Sequence, residues 1–220
     1  MPGFVRLGLV LSLGMTLHVL GGLEAPALAL GSPWELGLAV GREALLGVVL
    51  GLIAGLPFEA ARMGGRFIDL FRGASAEANL PGAGTRESAM ASGLYQLLLA
   101  LVAAGPLFSL VTTALFRTFG VVKLGVFLPE GPLVLQLALL VTTALAAGLA
   151  VATPVAVTSL LMDGVLALAS RAGTQLGLAE ASGPLKVIAG AAVAWLTLGL
   201  VSSRLLEDVG HAAQQLQLHV

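Results

Sequence analysis

Charge comes in bursts along this chain, and the intervals between them carry the first structural information. Five uncharged runs stand out: Leu7–Leu23, Ala44–Phe58, Gly93–Phe116, Gly131–Met162 and Val187–Ser203. An α-helix rises about 1.5 Å per residue and the hydrocarbon core of a bilayer is about 30 Å thick, so roughly 20 apolar residues cross it. Gly93–Phe116, with 24 residues, is the cleanest span. Gly131–Met162, with 32, is too long for one upright span. It reads as one tilted helix or as a hairpin of two short ones, with Pro154 as the break or kink. Ala44–Phe58 and Val187–Ser203, at 15 and 17 residues, become full spans only by absorbing neighbours such as Arg42, Glu43 and Lys186. The pattern predicts an all-α chain, one domain over residues 1–220, built of polytopic membrane-type helical hairpins with short, broken helices. Helices of that kind bury much of their surface on protein rather than lipid.

The first run has a second reading. Arg6 followed by Leu7–Leu20 and the small-residue stretch Ala27-Leu28-Ala29 fits a cleavable signal peptide. The rest of the chain is as apolar, so the remainder stays in the membrane on either reading. With five spans the basic residues divide 7 to 4 between the two sides, and with a hairpin at Gly131–Met162 they divide 6 to 5. The positive-inside rule therefore assigns no orientation.

The departure from this apolar pattern is concentrated in one place. Eight of the 23 charges fall between Glu59 and Glu87. Glu59, Arg62, Arg66, Asp69 and Arg72 follow one another in steps of 3, 4, 3 and 3. Such steps place the five along one helical face, with acid–base neighbours at i,i+3. The other face is small or apolar (Ala60, Ala61, Met63, Gly64, Phe67, Ile68, Phe71), and Gly64-Gly65 admits a second backbone at close range. Pro57 is expected to precede this helix and Gly73 to end it. A charge at mid-bilayer costs about 2.5–3.5 kcal/mol, so five unpaired ones cost on the order of 13 kcal/mol. The face must meet water, partner charges or both. A solvated loop helix satisfies that requirement, and so does a face that lines a hydrated path or docks another subunit.

Elsewhere the punctuation is conventional. Ser75–Ser92, with Pro81, Thr85, Arg86 and Glu87, reads as a loop or weak helix, so that 59–92 forms a charged helix and loop. Asp163-Gly164 resembles a turn closing the long apolar run. Arg171–Lys186, with Gln175, Glu180, Gly183 and Pro184, reads as a connection. In the tail, 205–220, Leu205, Leu206, Val209, Ala213 and Leu216 fall near helical spacing opposite glutamines, giving a possible amphipathic helix for a partner or a membrane surface. Asp163, Arg171 and Lys186 form a second, weaker set of candidate polar contacts.

Composition reinforces this reading and excludes much else. The chain is 57% hydrophobic and 10% charged, against about 25% charged for a soluble domain. Eleven basic residues oppose twelve acidic ones, without a basic stripe to neutralise phosphates, so no nucleic-acid partner is expected. Cysteine is absent. The three histidines, His18, His211 and His219, have no metal-ligand spacing, and phosphate loops and dinucleotide fingerprints are missing. A serine-based intramembrane hydrolase would have only His18 to pair with Ser109 or Ser159. No catalytic constellation, metal or cofactor is expected, and the balance favours transport or assembly.

The segment Gly51-Leu52-Ile53-Ala54-Gly55-Leu56-Pro57-Phe58, followed by Ala60, Ala61, Gly65-Arg66-Phe67-Ile68-Asp69 and Arg72-Gly73, resembles the signature of type III secretion export-apparatus proteins of the SctT class, whose flagellar relative is FliR. Pro154, Asp163-Gly164, Arg171, Gln175 and Gly183-Pro184-Leu185-Lys186 fall in the family's order and approximate spacing. The resemblance covers nearly the whole chain, and Gly55–Gly73 is its most specific part. The chain departs from it at Phe71, often a polar residue there, at Ala89-Met90 after Ser88, and at Thr174. It also starts about one hydrophobic helix later than family members usually do. The resemblance implies a non-enzymatic subunit of a protein-export gate at the bacterial inner membrane, multi-pass by hydropathy. Its implied partners are R-type and S-type gate subunits, the switch protein, the large export-gate subunit, the lipid bilayer and the unfolded proteins that pass through. It implies that Glu59, Arg62, Arg66, Asp69 and Arg72, and secondarily Asp163, Arg171 and Lys186, are intersubunit or channel-facing contacts. A secondary transporter or channel for small solutes, with the charged row as a coupling-ion path, would use the same features.

Overall fold

The computed structural model describes residues 3–20, 33–73, 77–78, 87–121, 132–172 and 178–218. The candidate cleavage site at Ala27–Ala29, the loop residues Pro81, Thr85 and Arg86, and Gln175 lie outside them. The described chain is helical apart from a two-residue antiparallel ladder. In order it runs α1 (Gly3–Leu20), α2 (Pro33–Phe71), β1 (Glu77–Ala78), β2 (Glu87–Ser88), α3 (Ala89–Ala104), α4 (Leu107–Val121), α5 (Pro132–Ala172), α6 (Leu178–Leu196) and α7 (Leu198–Leu218). Glu77 pairs with Ser88 and Ala78 with Glu87.

Two helices dominate. α2 has 39 residues and α5 has 41, each about twice the length that crosses a bilayer core. The charged segment is therefore not a separate helix after Pro57. It is the far end of α2, which runs through Pro57 without a break. The first two-thirds of α2 already have the length to cross a bilayer core. Gly73, at φ +70°, then ends the helix as a left-handed cap, its N–H donating to the Leu70 carbonyl at 3.1 Å. α5 is likewise one helix, with Pro154 inside it, and not a hairpin. Asp163-Gly164 is no turn but part of this helix.

The apolar run over Gly93–Phe116 is not a straight span. Gly105 leaves the helical conformation at ψ 177° and Pro106 cannot donate into the preceding turn, so α3 and α4 meet at a bend of 78°. α6 and α7 meet at a bend of 58° around Thr197, and Pro184 lies within α6 rather than in a connection. α2 and α5 are long and apolar enough to cross a membrane, and the two bent pairs raise the count to four if each acts as one span. The protein is a membrane protein on these grounds.

The core is built around the last turns of α2. Ala61 and Ile68 of α2 pack with Leu94 and Leu98 of α3, Val151 and Val155 of α5, and Val201, Leu205 and Val209 of α7. The tail helix is thus not a free amphipathic segment: its apolar face, Val201, Leu205, Val209 and Ala213, is buried in the chain's own core. A second cluster joins Leu46, Val49, Leu50 and Ile53 of α2 to Ala114 of α4. Where α2 crosses α5, Gly64 meets Gly148. A Cβ on Gly64 would lie 2.8 Å from Val151 Cγ1, and one on Gly148 would lie 2.9 Å from the Ala60 carbonyl oxygen. Small residues let the two backbones touch, the usual device of helices that cannot rely on hydrophobic exclusion from water.

Candidate functional site: the charged end of α2

The five charges of α2 do not share one environment. Glu59 and Arg66 are exposed, Arg62 and Arg72 are partly covered, and Asp69 is buried at 4% exposure. The inner members are tied to neighbouring helices of the same chain.

Asp69 is the most constrained. One carboxylate oxygen accepts from Ser88 Oγ at 2.5 Å and from the Met90 N–H at 3.1 Å, and the other lies 2.6 Å from Arg72 Nη2. Ser88 in turn is the N-cap of α3, its Oγ accepting from the Ala91 N–H at 3.1 Å. An α-helix starts with orphan N–H groups and a partial positive charge. Here a serine from the chain entering α3 and a carboxylate from α2 satisfy two of them together. One turn earlier on α2, Gly65 lies directly on the backbone of Met90 and Ala91, with no room for a Cβ. Gly65 permits the approach and Asp69 fastens it.

Arg72 extends the fastening to α6. Its guanidinium pairs with Asp69, and its aliphatic stem covers Gly190, where a Cβ would lie 2.8 Å from Arg72 Cβ. Arg62 turns toward α3. Its guanidinium carbon lies 4.4 Å from the centroid of the Tyr95 ring, and Nη1 donates to Glu59 Oε1 at 2.9 Å. The Tyr95 ring also meets Phe58 edge-on at 6.0 Å. A cation over an aromatic face is worth about 0.5–2 kcal/mol depending on its exposure.

The expectation of five side chains on one shared face is thus corrected. Asp69 and Arg72 face inward and anchor α3 and α6, because successive three-residue steps rotate them out of line with Glu59 and Arg66. The second set divides too. Lys186 Nζ lies 2.8 Å from Asp163 Oδ2, linking α6 to α5 across partly exposed surface. Arg171 is exposed in the last turn of α5, where a cation suits the helix dipole. It is not brought to the other two. Ser88, Tyr95 and Gly190 are partners that the charge pattern did not point to. Among the described residues no three acidic or histidine side chains converge on a metal position.

The sequence profile of the bacterial export proteins, family 1, matches residues 1–212. The chain belongs to that family. Its role therefore lies in a bacterial protein export apparatus, in a family of structural components. No curated protein sequence matches the chain.

Proposed function

We propose that this protein is the T-type structural subunit of a type III secretion export gate, helping to form the inner-membrane-associated channel for unfolded substrate proteins. The observation that carries the reading is the family match over residues 1–212. The surface supports it. Phe4, Leu7, Val10, Leu11, Met15 and Val19 of α1 are all half exposed or more, and α5 and α6 carry further uncovered Leu, Ile and Trp side chains. Such a surface needs lipid or companion helices.

The companions of this reading are R-type and S-type gate subunits, with the switch protein and the large export-gate subunit nearby, and no nucleic acid. Glu59 and Arg66, the outward charges of α2, are its contacts with neighbours or with a wet channel. Arg171 is a third, and Arg62, Asp69 and Arg72 hold the helix that presents them. Membership in an export family favours this reading over a small-solute carrier.

Detergent extraction of the tagged chain from its own cells tests it. The expected result is a large hetero-oligomer containing other export proteins. A monomer or small homo-oligomer refutes the reading. Arg66→Glu is expected to abolish secretion while the chain accumulates and folds, because Arg66 is exposed. Undiminished secretion by that variant removes Arg66 from the contact surface. Asp69 reversal does not make the same test, since its partners lie inside the chain.

A further inference from the structure

A cavity of about 310 Å³ lies where α2, α5 and α7 meet, lined by Ile53, Leu56 and Pro57 of α2, by Thr143 and small residues of α5, and by Asp208 and His211 of α7. Its lining is apolar except at one end. There Asp208 is the acidic side chain, beside His211. Arg204, one turn earlier on α7, lines a second cavity of about 300 Å³ on the other side of Asp208 and does not reach the first. Among the described residues no hydrogen bond or salt bridge reaches Asp208; Arg204 and His211 act on it electrostatically without pairing with it, and Glu207 opposes them. A carboxylate set against apolar side chains in a membrane protein needs a counter-charge. Pro57 adds a second acceptor, because its missing N–H leaves the Ile53 carbonyl without its regular helical donor, and both residues line this cavity.

We propose that this cavity is a socket for one long basic side chain, Lys or Arg, supplied by a neighbouring subunit, with its aliphatic stem on Ile53, Leu56 and Pro57 and its cationic head on Asp208. The lining and the charge ask for the same thing: an apolar wall for a Lys or Arg stem, closed by a carboxylate that no described side chain pairs directly. A bare metal ion leaves the apolar wall unused, and an apolar side chain leaves the carboxylate unpaired. The occupant's origin in another gate subunit rests on the function proposed above. The cavity's preference for a cation does not.

Because the chain has no cysteine, Thr143→Cys places a unique thiol in the socket. In the isolated full-length chain, a methanethiosulfonate reagent carrying an ammonium should modify it about tenfold faster than one carrying a sulfonate, from the field of a nearby carboxylate. Adding Asp208→Asn should remove the preference. In the export complex extracted from cells, both reagents should react at least about tenfold more slowly, as expected of an occupied socket. An equal rate for the two reagents in the isolated chain overturns the cation site. A recovered complex in which the thiol reacts as fast as in the isolated chain overturns the neighbouring side chain and leaves a pocket open to free solutes. Failure of the unmodified chain to bring down any complex refutes the proposed function instead, and the charge preference of the isolated chain still decides the cation site.

Discussion

Asp69→Ala is the perturbation that bears most directly on how the end of α2 is held. It removes the acceptor for Ser88 Oγ at 2.5 Å and for the Met90 N–H at 3.1 Å, together with the counter-ion of Arg72 at 2.6 Å. Hydrogen bonds to charged groups contribute about 1.5–3 kcal/mol each, and breaking a buried ion pair from one side costs about 3–5 kcal/mol. These contributions overlap, since all run through one carboxylate, so the expected loss is about 4 kcal/mol rather than their sum. Asp69→Asn keeps the volume and one oxygen that still accepts from Ser88 or Met90, so about 2 kcal/mol is expected. Much of the remaining penalty is the stranded guanidinium, whose side chain is only 13% exposed. Arg72→Met keeps a stem over Gly190 without the charge. The double variant Asp69→Asn with Arg72→Met should therefore be more stable than additivity gives, by at least about 1 kcal/mol. Unfolding of the purified chain in mixed micelles with increasing SDS, followed by circular dichroism, measures all four proteins. An Asp69→Ala chain within about 1 kcal/mol of the parent, or strict additivity in the double variant, refutes the idea that this carboxylate joins α2 to α3.

The same unfolding assay serves three further substitutions and one charge exchange. Gly65→Ala puts a methyl into the backbone of Met90 and Ala91, which moves only if the start of α3 moves, so a loss of about 1–3 kcal/mol is expected. Gly93→Ala, in α3 with nothing within 4 Å of the added methyl, should instead gain about 0.5–1 kcal/mol from reduced backbone freedom. Lys186→Glu should cost no more than about 1 kcal/mol, because the pair with Asp163 is partly exposed. Exchanging both residues, Lys186→Asp with Asp163→Lys, should restore most of that, and the effect should shrink as salt is raised.

The uncharged runs fell on α1, α2, α5 and the two bent pairs, because a long uncharged run has few alternatives to a helix in a membrane. Hydropathy misplaced the breaks, and local chemistry explains where. Gly105-Pro106 ends a helix because the glycine is extended and the proline has no N–H, yet Pro57 and Pro154 are absorbed because neighbouring helices cover α2 and α5 at those points. A proline's effect is decided by what packs around it, which no single segment reveals. Asp163-Gly164 has turn-forming residues, but the aspartate is partly exposed and paired with Lys186, so it costs the helix little. The tail's apolar spacing was visible, and what it packs against was not. Its residues at 201, 205, 209 and 213 return to the core formed around Ile68 and Leu98, more than a hundred positions away in the chain.

The charged row shows the same limit and also how it can be passed. An α-helix turns about 100° per residue, so a three-residue step falls back about 60° and a four-residue step gains about 40°. Steps of 3, 4, 3 and 3 from Glu59 therefore put Arg66 only about 20° from Glu59, but Asp69 about 80° away and Arg72 about 140° away. The row is a slanted band, not a stripe. Its leading edge, Glu59 and Arg66, is exposed, and its trailing edge, Asp69 and Arg72, turns under α3 and α6. That angular offset was present in the spacing from the start. What the spacing could not supply was Gly65, Ser88 and Gly190 as the places where α3 and α6 close in, because those contacts join segments far apart in sequence. The division has a mechanical meaning. The inner charges fix the orientation of α2 within the chain, and the fixed helix then holds the outer charges at a set angle for whatever lies beyond. Loss of stability on changing Asp69 and loss of secretion on changing Arg66 should accordingly be separable, and a variant of Arg66 that unfolded the chain would contradict the division.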